Sequence, residues 1–286
     1  MSLSRIALTG LLFLGAARTE PLFEFHSSFW VNLHHYLYQQ AADPYYRELA
    51  KHDLLTREME TINNRLADLE GAASLKGSEL APELIAALEG AAPAYRAGLW
   101  IEHNRANLAW IEAVKPLIAK HGAALSKELA AAYGTAWPSQ PIRVDVAEHA
   151  GWSGAYTTLK PTHITISSTA PGNQGASALE ILFHEASHSL IERVANALTA
   201  EAASQNKLFQ RRAFWHAVLF YTAGEFTRRH IDGYTPYAIK NGLYDRGWAG
   251  ALPVLEKDWK PYLDGKIDFT TAVRNMVADY GVPRIP

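Results

Sequence analysis

The spacing of the apolar residues changes twice along this chain of 286 residues, and that change constrains the fold more than any other feature. Up to Pro138 the apolar residues recur at intervals of three and four in segments rich in Ala, Leu, Glu and Lys, which is typical of amphipathic helices. Between Pro138 and about Ala176, short segments alternate apolar and polar residues, which is typical of strands. The helical spacing then returns. The sequence therefore predicts an α+β fold, mainly α, with a small β-sheet between helical parts.

Capping residues and helix breakers place the individual elements. Ser27 or Ser28 can cap a first helix, and Asp43-Pro44 ends it and starts the next, because proline fits a first helical turn. The later helices are predicted at residues 44–70, 81–90, 93–119, 121–134, 177–198, 208–229 and 268–280. The strands are predicted at residues 142–146, 155–159 and 163–167.

The first 17 residues have the composition of an export signal. One basic residue, Arg5, precedes an apolar run from Ile6 to Ala17 that ends in small residues. A run of this length is too short to cross a bilayer, which takes about 20 residues; a first helix or strand of the core is the alternative interpretation. We expect cleavage near Ala17 and export, to the periplasm or out of the cell. The mature chain then has no stable membrane span and begins with an α-helical N-terminal region over residues 18–138.

The charge balance and the cysteine content exclude several kinds of partner and of functional site. The 27 basic residues nearly balance the 29 acidic ones, which gives a formal net charge of −2 and predicts no nucleic-acid partner. Cysteine is absent, which excludes disulfides, thiolate metal ligands and a cysteine nucleophile. Any metal ion must therefore be held by His, Asp or Glu, and the twelve histidines are the main candidate ligands.

The segment His184-Glu185-Ala186-Ser187-His188 has the pattern H-E-x-x-H and lies within the predicted helix over 177–198. Two histidines four residues apart lie one turn above each other, so both imidazoles can reach one ion. Glu185 is the next residue round the helix and can place its carboxylate beside a metal-bound water. Zinc held by neutral nitrogens lowers the pKa of that water from about 15.7 toward 7, and the carboxylate can take its proton.

With a strand-containing segment before it, this motif resembles the zincins, the H-E-x-x-H class of zinc metallopeptidases, in a gluzincin-like layout. The resemblance implies that residues 139–286 form a zincin-like catalytic region that binds Zn²⁺ and acts on a peptide or protein substrate. It also implies a cleft beneath an edge strand that aligns the substrate, for which residues 154–158 are the candidate. Two alternatives remain open: a zinc hydrolase for a non-peptide amide or ester, and a zinc-bound scaffold or binding protein without turnover.

Catalytic zinc takes three protein ligands, so a third is expected beside His184 and His188. The helix over 208–229 offers His216 and Glu225, and at about 100° per residue these face opposite sides, so at most one can serve. Small residues near His216 permit close approach of another helix, whereas Glu225 can pair with Arg229 four residues on. Gluzincins use a glutamate on a downstream helix, which favours Glu225, while other H-E-x-x-H enzymes use a distant histidine. We predict His216, with Glu225 as the alternative.

Two further groups of residues carry weaker signals. The histidines His26, His34 and His35 near the N-terminus are predicted to pack among aromatic residues rather than to form a second metal site. A zinc hydrolase usually adds a donor that stabilises the developing oxyanion. Four downstream residues could supply it, and the sequence selects none of them: Tyr221, His230, Tyr234 and Tyr237.

Overall fold

A computed structural model describes residues 21–41, 43–52, 56–151, 153–209 and 213–284. The predicted export signal, residues 1–17, lies outside these ranges. The described chain is α+β and mainly helical, as predicted. None of the helices in these ranges combines the length and the apolar character that a membrane span requires.

In the part of the chain that the structure describes, the main sheet has four strands in the order β1-β2-β4-β3. β2 pairs in parallel with both β1 and β4, whereas β3 lies at one edge and runs antiparallel to β4. The strands are β1 (Phe23–His26), β2 (Ile142–Ala147), β3 (Ala155–Leu159) and β4 (Thr162–Ser167). β2 and β4 were predicted from their alternation and β3 from its strand-prone residues. β1 was not predicted, because a four-residue strand carries too little pattern. Through β1 the N-terminal part contributes to the same sheet as the C-terminal part, and the proposed division at residue 138 stays a prediction.

Within the described ranges five helices precede β2, and their limits differ from the predicted ones. The predicted single helix over 44–70 is two helices, because α2 ends at Leu49 and Thr56 starts α3 by accepting a hydrogen bond from the Met59 backbone N–H. Further on, one helix ends before Leu99 and the next begins after it. Pro93 and Pro116 lie inside these two helices, although the sequence predicted helix ends close to both prolines. The helices are α1 (Phe29–Gln40), α2 (Pro44–Leu49), α3 (Arg57–Asp68), α4 (Pro82–Gly98) and α5 (Trp100–Tyr133).

The remaining helices follow β4. They are α6 (Ala176–Ser187), α7 (Glu192–Ser204), α8 (Phe214–His230), the short helices α9 (Tyr237–Lys240), α10 (Leu243–Arg246), α11 (Ala251–Val254) and α12 (Lys260–Leu263), and α13 (Phe269–Tyr280). A π-turn over Leu255–Trp259 joins α11 to α12, a 3₁₀ turn over Pro171–Asn173 precedes α6, and the two-residue strands β5 (Lys207–Leu208) and β6 (Val282–Pro283) pair with each other. The predicted helices over 208–229 and 268–280 correspond to α8 and α13.

The predicted helix over 177–198 is in fact two helices, α6 and α7. The backbone N–H groups of His188, Ser189 and Leu190 each bond to the carbonyl three residues back, at 3.2, 3.1 and 2.9 Å. This 3₁₀-type pattern tightens the chain after Ser187 and ends the α-helix. The Ser187 hydroxyl also donates to the Phe183 carbonyl at 2.7 Å, a local bond that competes with helix continuation. His188 therefore lies at the C-terminal cap of α6.

Apolar side chains pack on both faces of the sheet. One cluster joins one face to α5, α6, α8 and α13, and the other joins the opposite face to the helices of the N-terminal part. Ala155 belongs to the first cluster and Tyr156 to the second, as expected for neighbouring residues of one strand. The first cluster holds α6 beneath β3 and beside α8, which positions the residues of the site.

Candidate metal centre

Helix α6 is buried on all sides, and its polar residues are therefore the unusual ones. Leu179, Leu182 and Phe183 are fully enclosed and fix the helix in the core. Glu180, His184 and Glu185 are buried on the same helix, with exposed fractions of 0, 1 and 6%. Ionisable side chains are rarely buried without a partner or a function, so the burial of these three indicates a candidate functional site on α6.

Three imidazoles converge beside this helix. His184 and His188 come from α6 and its cap, and His216 comes from the first turn of α8. The Nε2 atoms of His184 and His216 are 3.2 Å apart, and one ring nitrogen from each of the three residues lies within 4.8 Å of the others. The group can hold a metal ion. The spacing of the motif and the helical face of His216 had predicted these three residues.

Small residues let α8 approach α6 closely enough for this arrangement. A Cβ added at Gly224 would lie 2.7 Å from the Cβ of Pro236 and 3.1 Å from Oε1 of Glu180. Toward the metal centre, the Phe220 ring stacks on His184 with 3.7 Å between ring centroids. Helices α6 and α8 are thus in contact through Glu180 at Gly224 and through the Phe220 ring on His184.

Glu225, the alternative third ligand, lies elsewhere. Its buried carboxylate pairs with Arg228, with Arg229 at 3.0 Å and with Lys260 at 3.4 Å. The pairing with Arg229 four residues on is the one that the sequence suggested. Three cations already compensate this carboxylate, and it takes no part in the group formed by the histidines.

Burial sets the charge state of the three histidines. It is the main cause that lowers the pKa of His184 well below its ordinary value, that of His188 to about 3 and that of His216 to about 4. Repulsion between the neighbouring rings lowers the pKa of His184 and His188 further. All three are therefore neutral at physiological pH. Neutral imidazole is the form that binds metal, since protonation removes the lone pair.

Glu185 lies between the histidine group and the sheet. The Thr157 hydroxyl of β3 lies 2.7 Å from Glu185 Oε2 and 3.0 Å from the Glu185 carbonyl oxygen, and Glu185 Oε2 is 3.8 Å from His188 Nε2. Burial raises the pKa of Glu185 to about 7, and the bond from Thr157 opposes that rise. The sequence had placed Thr157 only within a candidate edge strand, since nothing in its spacing indicates a contact with Glu185.

β3 presents part of its backbone at the edge of the sheet. Among the described residues it pairs with β4 alone. The Ser167 N–H donates to the Gly154 carbonyl at 2.8 Å, and in an antiparallel ladder every second residue bonds to the neighbouring strand. It follows that the backbone groups of Ala155, Thr157 and Leu159 point to the unpaired side. The residues predicted as an edge strand thus lie at an edge, beside Glu185.

The four residues that could donate to an oxyanion differ in their partners and in how near they lie to the histidine group. His230 pairs with Glu128 at 2.7 Å, and the Tyr234 hydroxyl donates to Glu180 at 2.7 Å. Tyr221 is buried on α8 with Glu225. Tyr237 is one ring removed from the histidine group: its ring stacks at 6.1 Å and 12° on Phe220, which stacks on His184. Tyr237 is also half-buried, which raises its pKa, and the charge on Glu185 contributes to that rise.

The N-terminal histidines are engaged in packing and hydrogen bonds, as predicted. His34 Nδ1 is 2.8 Å from the Tyr46 hydroxyl, His35 Nε2 is 2.6 Å from the Tyr156 hydroxyl, and His26 pairs with Glu70 at 2.7 Å.

Comparisons with protein-family models, with curated proteins and with solved structures each gave no match. The class of protein must therefore be inferred from the site itself.

Proposed function

We propose that this chain is a zinc-dependent hydrolase of the zincin type, and specifically a metallopeptidase. The observation that carries the proposal is the convergence of three neutral imidazoles with a buried carboxylate 3.8 Å from one of them. The third ligand in this proposal is His216, so the centre departs from the gluzincin pattern, in which a glutamate serves.

The donor set supports zinc. Three imidazole nitrogens with no thiolate suit Zn²⁺, and three protein ligands leave a position for water or substrate. His184, His188 and His216 would hold the ion. When bound, zinc supplies a Lewis acid that makes water nucleophilic at neutral pH.

The residues of the chain then have separate tasks. Glu185 accepts the proton of the attacking water, and its pKa of about 7 suits a general base at neutral pH. Thr157 orients the Glu185 carboxylate through the bond at 2.7 Å. Among the described residues the backbone of β3 has no partner strand on one side, and we infer that an extended peptide binds there as an added strand, with the peptide bond beside Glu185. This last feature favours a peptide over a small amide or ester, which has no backbone to pair.

Metal content and turnover together test the proposal. We expect one zinc ion per chain in the wild type and hydrolysis of at least some members of a peptide panel. Glu185→Gln should keep the zinc and lose turnover by a factor of about 10² to 10⁴. His216→Ala should lose the zinc.

Two variants control these measurements. Glu192→Gln removes an exposed carboxylate from α7, and His230→Ala removes a histidine from α8 away from the metal centre. Unchanged zinc content in His216→Ala would remove that ligand from the proposal. Full activity in Glu185→Gln would exclude the mechanism. Zinc without hydrolysis of any peptide would favour the amide or ester hydrolase or the scaffold, which a panel of small amides and esters separates.

A further inference from the structure

A cavity of about 340 Å³ opens at the start of β3. Its wall includes Ser153 and Gly154 before β3, Thr169 and Asn173 after β4, and Tyr237 of α9. A Cβ added at Gly172, also in the wall, would lie 2.6 Å from the Tyr237 ring, so glycine is what lets this ring close one side.

Two connections join the cavity to the metal centre. Tyr237 belongs to its wall and also stacks on Phe220, which stacks on His184. The second connection is β3 itself, since Gly154 precedes Thr157 by three residues, about 10 Å along an extended strand. A peptide paired with β3 and cleaved beside Glu185 would therefore place a side chain about three residues from the scissile bond at the cavity.

The hydroxyl groups of the wall are already committed as donors. Ser153 donates to the Ala155 carbonyl at 2.8 Å, and Thr169 donates to the Glu148 carbonyl at 2.8 Å. Ser167 likewise donates to the Glu148 carbonyl, at 2.6 Å. A hydroxyl has one hydrogen to donate and two lone pairs. Ser167 Oγ already accepts from the N–H groups of Thr169 and Ala170 at 3.3 and 3.1 Å, so the capacity that remains is that of Ser153 and Thr169 as acceptors.

The amide of Asn173 is committed in the same way. Its Nδ2 donates to the carbonyls of Gly154 and Ser167 at 2.8 and 3.0 Å, while its Oδ1 makes no hydrogen bond with any described residue. Donors in the wall come from Gln39, His149 and the Tyr237 hydroxyl. The wall thus offers several acceptors together with a few donors.

The wall also lacks a compensating charge. None of the described residues that line the cavity is Lys, Arg, Asp or Glu, and His149 is paired with Glu148 at 2.8 Å. Part of the wall is exposed, so a charged group brought here would keep some of its hydration, but it would gain no opposite charge in place of the water that it displaces. An apolar group would leave the acceptors unpaired. A carboxamide avoids both penalties, because it is neutral, has two N–H donors for the acceptors and has a carbonyl for a donor.

We propose that this cavity is a specificity pocket for a carboxamide side chain, glutamine or asparagine, about three residues from the bond that is cut. The proposal rests on the proposed function in that the ligand is a peptide lying along β3.

Peptide binding to the zinc-loaded Glu185→Gln variant tests the pocket without turnover. Isothermal titration of synthetic peptides, in which Gln is moved one position at a time through an alanine background, should reveal one position where Gln binds about tenfold more tightly than Leu or Glu. Thr169→Trp in the same background fills the cavity and should abolish that preference; Ser153→Trp is a second such variant. Thr199→Trp, exposed on α7, is the matched control and should retain it.

The possible results distinguish failure of the proposed pocket from failure of the proposed peptidase function. Absence of a position with a Gln preference, or a preference that persists in both filled variants, overturns the pocket. Cleavage of peptides by the wild type without a Gln preference keeps the function and rejects the pocket. A Gln preference in binding that Thr169→Trp abolishes, in a protein that cleaves no peptide, keeps the pocket and rejects the function.

Discussion

The Thr157 hydroxyl lies 2.7 Å from Glu185 Oε2 and ties the edge of the sheet to the helix that carries His184. Both residues are buried, so the carboxylate has little water to replace this bond. The geometry of Glu185 relative to the three histidines therefore depends on a strand 28 residues earlier in the chain.

Replacing Thr157 tests that dependence. Thr157→Val removes the donor while keeping the shape, and we expect the free energy of unfolding to fall by about 1–3 kcal/mol, because a buried acceptor loses its partner. Turnover should fall more than substrate affinity, since the proton acceptor is no longer oriented. Thr157→Ser should restore most of both. Urea unfolding and steady-state kinetics measure the two effects, and a Val variant indistinguishable from wild type in both would contradict the role.

Gly224 of α8 lies against Pro236, just before α9, and against the Glu180 carboxyl group of α6. Gly224→Ala should displace α8 from these neighbours, because the new Cβ would meet Pro236 and Glu180 at 2.7 and 3.1 Å. We expect a loss of about 1–3 kcal/mol of stability, as for other overpacked sites, together with weaker zinc binding through the displacement of His216. Gly90→Ala in α4 is the control. A Cβ there meets nothing within 4 Å, so it should stabilise by about 0.4–1 kcal/mol and leave zinc binding unchanged. Equal effects of the two changes would argue against the close approach.

Glu180 is expected to make the free energy of unfolding depend on pH. Burial raises its pKa from the ordinary 4.5 to about 7, although Tyr234 and the Tyr237 N–H bond to its carboxyl group and oppose the rise. Because the folded protein holds this proton more tightly than the unfolded chain, the contribution of Glu180 to stability is full below pH 4.5 and is lost as the pH rises toward 7. A difference of this size corresponds to about 3 kcal/mol at most.

Glu180→Gln should remove that loss, because glutamine cannot ionise. We expect its free energy of unfolding, relative to wild type, to increase between pH 5 and pH 8, as measured by urea unfolding at each pH. Glu192→Gln, at an exposed position, should show no such trend. Parallel stability curves for Glu180→Gln and wild type would mean that Glu180 is ionised in the folded protein throughout this range.

Chelation should weaken the fold through the metal centre. A ligand that binds only the folded state stabilises it by about 4 kcal/mol at a thousand times its dissociation constant. The melting temperature of the zinc-loaded wild type should therefore fall when EDTA is added. His230→Ala should respond like the wild type, and His216→Ala should not respond. A wild type insensitive to both zinc and EDTA would exclude a resident ion at the histidines.

Features with a local cause could be predicted from the sequence. Two histidines one turn apart, and a histidine on the small-residue face of a later helix, predict a shared ion because helical geometry fixes their directions. Thr157, Glu180 and Tyr237 could not be found in this way, because their contacts with the site arise from packing between α6, β3 and the segment after α8. The end of α6 at Ser187 was also missed, since the apolar spacing continues past it while the backbone bonds tighten.

The distribution of the histidines over two helices has a consequence for the chain as a whole. His184 and His216 are separated by 32 residues, so an ion bound to both would close a covalent-like loop through α7. In a chain without cysteine, no disulfide can do this. A cross-link around a loop of that length removes about 3–4 kcal/mol of chain entropy from the unfolded state. A bound ion would then stabilise the folded chain in addition to its part in the proposed reaction.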